Sequence, residues 1–113
     1  MQRWNLLDLE MPRGTRDPVV LHSEDEARAV LIHIDAGQEL GEHQVKERAW
    51  VLVVTGTIHV RTGGEQAEGD PGTLFHFEQD ERRAIGSEAG ARILVLLAPW
   101  PGRGHYRGEQ QPA

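Results

Sequence analysis

The sequence of 113 residues contains no cysteine, which excludes disulfide bonds, thiolate metal sites and a cysteine nucleophile. Aromatic residues make up only 5% of the chain, so we expect no stacking surface for single-stranded nucleic acid. The 12 Lys and Arg residues are outnumbered by 18 Asp and Glu residues, and the net charge of −6 argues against a phosphate-backbone partner. No apolar run approaches the roughly 20 residues of a membrane helix, and the N-terminus lacks the apolar stretch of a secretory signal. We therefore expect a cytoplasmic protein that binds neither nucleic acid nor membrane.

The sequence does contain a series of short apolar segments, separated by 13 glycines and other turn residues. Segments of this length, rich in Val, Ile, Leu, Thr and Phe, predict an all-β sandwich or barrel with almost no helix. Ser23 and Glu26 have the spacing of a helix capping box, but the β-rich run that follows limits this region to a turn or one helical turn at most. The predicted strands are 29–34, 50–55, 57–61, 73–77 and 92–98.

The length predicts a single domain over residues 1–113, with a barrel core at about 20–100 and a poorly anchored C-terminal tail at 101–113. The N-terminal part carries Trp4, several leucines and the run 19–21. This is more apolar material than one small barrel needs to close. Because an uncovered strand edge tends to pair with another chain, we expect a homodimer.

The glycine spacing resembles that of a known family. Gly37 is followed after five residues by His43, and Gly56 closes the apolar run 51–54, a frame that resembles the first motif of small cupins, G-x5-H-x-H-x3,4-E-x6-G. A looser frame around Gly69 and Gly72 resembles the second motif, G-x5-P-x-G-x2-H-x3-N. The resemblance implies a double-stranded β-helix, the jelly-roll barrel of the cupin superfamily, in which two antiparallel sheets face each other.

The same resemblance implies that family members hold a metal with three histidines and a glutamate. Carried over residue by residue, the first histidine is kept as His43 and the second position is Val45. The glutamate position is Ala49, and the third histidine position is Arg83, or Asp80 in a shifted frame. Val and Ala have no donor atom, and Arg is a permanent cation. The resemblance therefore implies a degenerate metal motif, and we expect no metal and no other cofactor.

Three functions remain open, and the sequence does not decide whether the chain is an enzyme. The first is a metal-free module that binds a small molecule, with His43, Glu47 and Arg83 as candidate pocket residues. We expect a surface ion-pair residue at Arg83 and a solvated charge at Glu47. Only if Arg83 faces the barrel interior would it suit an anionic carboxylate or phosphate. A third and simpler possibility is a dimerisation module without a ligand.

The second function is a metal-dependent cupin enzyme of the dioxygenase or isomerase type, with Zn, Ni, Mn or Fe as the divalent ion. The residues then available as ligands are His43, Glu47 and His76. His76 stands between Phe75 and Phe77, and we expect these two rings to fill the barrel, which would point His76 outward. The metal content of the purified protein discriminates between the module and the enzyme.

Overall fold

The computed structural model describes residues 1–12, 17–43 and 45–102, and Glu42 and His43 are described by their backbone alone. Within these ranges the chain is all-β, as the sequence predicts, and contains no helix that could cross a membrane. The strands are β1 (Val19–Glu24), β2 (Ala27–Ile34), β3 (Gln38–His43), β4 (Arg48–Gly56), β5 (Ile58–Arg61), β6 (Gln66–Gly69), β7 (Leu74–Phe77), β8 (Arg83–Ser87) and β9 (Ala91–Ala98).

The strands form two antiparallel sheets. The order is β1-β2-β9-β4-β7 in the larger sheet and β3-β8-β5-β6 in the smaller one. Alternation of buried and half-buried residues along β4 and β9 defines the inward face of the larger sheet, where Val51 lies opposite Val95. Val30 of β2 pairs with the other side of Val95. Because successive side chains point to opposite faces of a strand, this register places an aliphatic core between the sheets.

The five strands predicted from the sequence are present, each within two residues of its predicted bounds. The region around Ser23 forms no helical turn. Instead, β1 and β2 pair as a hairpin, and Glu26 occupies its turn with a positive φ of 85°. Pairing of the flanking strands outweighs the local capping signal here.

Gly56, the last residue of the first motif frame, ends β4 with a φ of 77°. A Cβ atom at this position would lie 2.1 Å from the carbonyl oxygen of Gly90. Both the left-handed backbone and the close approach of the chain therefore require glycine.

The two ends of the described chain lie against the barrel. Outside the larger sheet, the Arg92 guanidinium donates hydrogen bonds to the carbonyl oxygens of Leu6 and Leu7, at 2.6 and 3.2 Å. At the other end, the expectation of a poorly anchored tail from residue 101 is wrong for Gly102, which is buried. The remainder of the predicted tail, 103–113, lies outside the described residues.

Candidate ligand-binding site

A cavity of about 250 Å³ lies between the two sheets. Arg28 near the start of β2, Arg83 at the start of β8 and Trp100 beyond β9 line it at one end of the barrel. Aliphatic side chains from both sheets form most of the remaining wall, among them Val30, Ile32, Val51, Ile85, Ile93 and Val95. Two larger depressions, of about 790 and 640 Å³, lie outside the barrel beside the mostly exposed residues 3–12. We take the cavity between the sheets as the candidate site because a nearly buried charge lines it.

That charge is Arg83, whose side chain is only 3% exposed. The expectation of a surface ion pair at this position is wrong. Arg83 shares strand parity with Ile85, so both side chains face the interior. The guanidinium carbon lies 4.9 Å from the ring centroid of Phe77, within cation–π range. Desolvation lowers the pKa of the Arg83 guanidinium and the Glu81 carboxylate opposes this, but an arginine stays protonated.

Arg28 provides a second guanidinium in the same wall. It lies on the inward face of β2, opposite Leu97 of β9. Its guanidinium carbon is 4.3 Å from the centroid of the Trp100 ring. Arg28 is not among the candidate residues that the sequence indicates. Strand alternation could have indicated Arg28, because it stands two and four residues before Val30 and Ile32 on the same strand and all three side chains face inward.

The segment 99–102 closes one side of the cavity, and Glu47 anchors it. The Glu47 side chain is fully buried at 0% exposure, and its carboxylate accepts a 2.6 Å hydrogen bond from the Gly102 amide. The Trp100 carbonyl oxygen accepts a second bond, of 2.7 Å, from the amide of Glu26. The expectation of a solvated charge at Glu47 is therefore wrong. Glu47 is not in the cavity wall, and its carboxylate instead holds the segment that carries Trp100.

Comparison with solved structures identifies the fold. A double-stranded β-helix protein from Klebsiella pneumoniae is similar with a TM-score of 0.80 at 13% identity, over 90% of this chain and 93% of that chain. A cupin superfamily protein from Desulfitobacterium hafniense gives a TM-score of 0.76 at 14% identity, over 87% and 92%. An RmlC-like cupin from Shewanella frigidimarina gives a TM-score of 0.70 at 22% identity, over 78% and 79%. The protein has the cupin fold. No family model and no curated protein matches the sequence.

The metal site that the cupin fold implies does not fit the residues of this chain. Of the four ligand positions, Val45 and Arg83 line the cavity and Ala49 lies in the core at 0% exposure. None of these three can donate a lone pair to a metal ion. The His43 backbone pairs with Arg83 across β3 and β8, but its side chain lies outside the described residues. Within the described ranges, no group of three His, Asp or Glu side chains could hold a metal ion.

The alternative ligand set is not brought together either. His76 lies on the outer face of the larger sheet, opposite Trp50, and the two ring centroids are 5.0 Å apart. Its neighbour Phe77 points inward and is buried, as expected from the sequence, and Phe75 packs against the same core. The two rings nevertheless leave a cavity in the barrel. His76 faces outward because its strand neighbours Phe75 and Phe77 face inward. The His76 ring and the buried Glu47 carboxylate therefore do not face a common space.

Proposed function

We propose that this cupin-fold protein is a metal-free module that binds a small, largely apolar molecule between its two sheets. The observation that carries the proposal is the cavity of about 250 Å³ with aliphatic walls on both sheets. At ~30 Å³ for each water-sized group, the space holds about eight non-hydrogen atoms. Apolar surface removed from water stabilises a complex by roughly 25 cal/mol for each Å². A small hydrocarbon body therefore suits this wall.

The residues at the former ligand positions support a module without metal. A divalent ion needs at least three well-placed donors, and Val45, Ala49 and Arg83 supply none. Arg83 also adds a positive charge to the cavity wall. For an ion about 4 Å from that guanidinium, at an effective dielectric constant near 20, the repulsion is about 4 kcal/mol per unit charge and about twice that for a divalent ion.

Elemental analysis tests the absence of metal. The protein is expressed in medium supplemented with Zn, Ni, Mn and Fe, and we expect far less than one equivalent of any of these metals. As a positive control, the triple variant Val45→His, Ala49→Glu, Arg83→His restores the missing donors, and we expect it to bind Zn or Ni with micromolar affinity. Near one equivalent in the unmodified protein, lost on His43→Ala, would overturn the proposal in favour of a metal-dependent dioxygenase or isomerase.

Calorimetric titration tests ligand binding. The probes are hexanoate and hexanamide, which have eight non-hydrogen atoms each and differ only in the polar group. We expect at least one of them to bind with a Kd of about 1 mM or below, which corresponds to about −4 kcal/mol. Val45→Phe should abolish binding by filling the cavity, whereas Val54→Phe, on a half-buried position of β4 outside the cavity wall, should not. Failure of both probes to bind the unmodified protein contradicts the proposal and favours a dimerisation module without a ligand.

A further inference from the structure

Three buried nitrogen donors at the cavity have no hydrogen-bond partner among the residues that the structure describes. They are Nε of Arg28, and Nε and Nη1 of Arg83. Both side chains belong to the wall of the same cavity. Nearly all buried polar groups in folded proteins are hydrogen-bonded, so three unpaired donors that line one cavity call for a physical explanation. An acceptor bound in the cavity provides it.

The charge of the wall indicates that this acceptor is an anion. Two guanidinium groups line the cavity, and no carboxylate belongs to the wall formed by the described residues. Glu81 acts on Arg83 electrostatically from outside that wall, and the Glu47 carboxylate is bonded to the Gly102 amide. A buried charge is costly unless it is paired, and the two positive charges share a largely aliphatic surrounding. An anionic ligand would supply the missing counter-charge.

We propose that the cavity binds small monocarboxylates with an apolar body of about five carbons, and that Arg28 and Arg83 hold the carboxylate. This inference rests on the proposed binding function and specifies its ligand class. A guanidinium is a planar fork of N–H donors, and a carboxylate accepts several hydrogen bonds, so both arginines can donate to it. The hydrocarbon body then lies along Ile93 and Val95, deeper between the sheets.

A carboxylate suits the site better than a phosphate ester of the same size. A phosphate group carries more oxygens and up to two negative charges, all of which need donors once it is buried. The donors left unpaired in the described wall are three nitrogen atoms, a number within the hydrogen-bonding capacity of two carboxylate oxygens. The described residues form no helix, so no helix N-terminus lies at this cavity to serve additional oxygens.

Titration calorimetry on the unmodified protein tests the ligand class with three probes: hexanoate, the isosteric neutral hexanamide, and butyl phosphate. We expect hexanoate to bind about 10- to 100-fold more tightly than hexanamide, as charge-assisted hydrogen bonds to buried guanidinium groups predict. Arg83→Met and Arg28→Met should each lower the affinity for hexanoate by about tenfold or more and leave the affinity for hexanamide nearly unchanged. Arg61→Met is the matched control, since Arg61 forms an exposed ion pair with Glu39 and is not in the cavity wall.

Each outcome distinguishes the ligand class from the binding function. Equal affinity for hexanamide and hexanoate overturns the carboxylate and leaves the proposed apolar binding intact. Tighter binding of butyl phosphate replaces the carboxylate with a phosphate ester, and binding of none of the probes overturns the ligand class together with the binding function. Circular dichroism of Arg83→Met checks that a loss of affinity does not come from unfolding. Arg83→Lys, which keeps the charge without the fork, should restore part of the preference for hexanoate.

Discussion

Replacing Arg83 with methionine should raise the free energy of unfolding, because the variant removes a buried charge that lacks an ion-pair partner in the described cavity wall. Two of its N–H groups are unpaired among the described residues, and each such group costs about 1–3 kcal/mol. The variant loses the contact with the Phe77 ring, worth about 0.5–2 kcal/mol, and regains part of it through the thioether, about 0.3–1.5 kcal/mol. With the lower bound for both N–H groups, the net expectation is about 2 kcal/mol of added stability.

Urea unfolding followed by circular dichroism measures this change as a shift in midpoint at constant slope. For a chain of 113 residues, 2 kcal/mol corresponds to a rise in Tm of roughly 8 °C. The control Arg61→Met removes an exposed ion pair of 2.8 Å and should change stability by less than about 1 kcal/mol. A loss of more than about 1 kcal/mol for Arg83→Met would refute the reasoning, since it would show that the guanidinium is paired in the folded protein without a ligand.

Three further predictions concern the scaffold. Gly56→Ala should lower the free energy of unfolding in urea by more than about 3 kcal/mol, because the new Cβ lies 2.1 Å from a backbone oxygen. Gly37→Ala is the control: its φ of 79° is similar but the space around it is open, so it should cost about 1–2 kcal/mol. Equal costs for the two variants would show that the steric clash does not matter. Glu47→Ala should lower the free energy of unfolding by about 1.5–3 kcal/mol. Glu47→Gln should lower it less, because the glutamine side-chain oxygen still accepts the hydrogen bond from the Gly102 amide. The reverse order in thermal unfolding would contradict the anchoring role of Glu47. We also expect a homodimer by light scattering, weakened by Trp4→Ser in the exposed N-terminal segment; a monomer mass at high micromolar concentration would contradict it.

Most of the fold could be predicted from the sequence because its determinants are local. Each predicted strand is a short apolar run bounded by turn residues, and the paired glycines after β5 mark a hairpin whose Thr62 amide bonds to the Glu65 carbonyl at 2.9 Å. Strands β1, β3, β6 and β8 are not among the five predicted strands, and the last three carry too few apolar residues to predict a strand by composition. Their pairing depends on partners distant in sequence, as with Glu39 of β3 opposite Gly86 of β8.

The candidate site could be predicted only in part. Arg82 and Arg83 are adjacent, so one faces out and the other in, and only the register of β8 decides which. The register of β8 depends on its pairing with β3, and this pairing shifts between Leu40 and His43. No local sequence signal marks that irregularity. The burial of Glu47 depends on the Gly102 amide, 55 residues away along the chain. Contacts of this separation are set by the tertiary fold and not by local pattern.

The most direct test of the binding cavity is a crystal structure of the protein grown with 5-bromopentanoate, which matches hexanoate in size and carries an anomalous scatterer. We predict a bromine peak between the sheets beside Ile93 and Val95, with the carboxylate within hydrogen-bond distance of Arg83 Nε or Nη1. A bromine peak confined to the outer depressions beside residues 3–12, with the space between the sheets free of ligand, would contradict it.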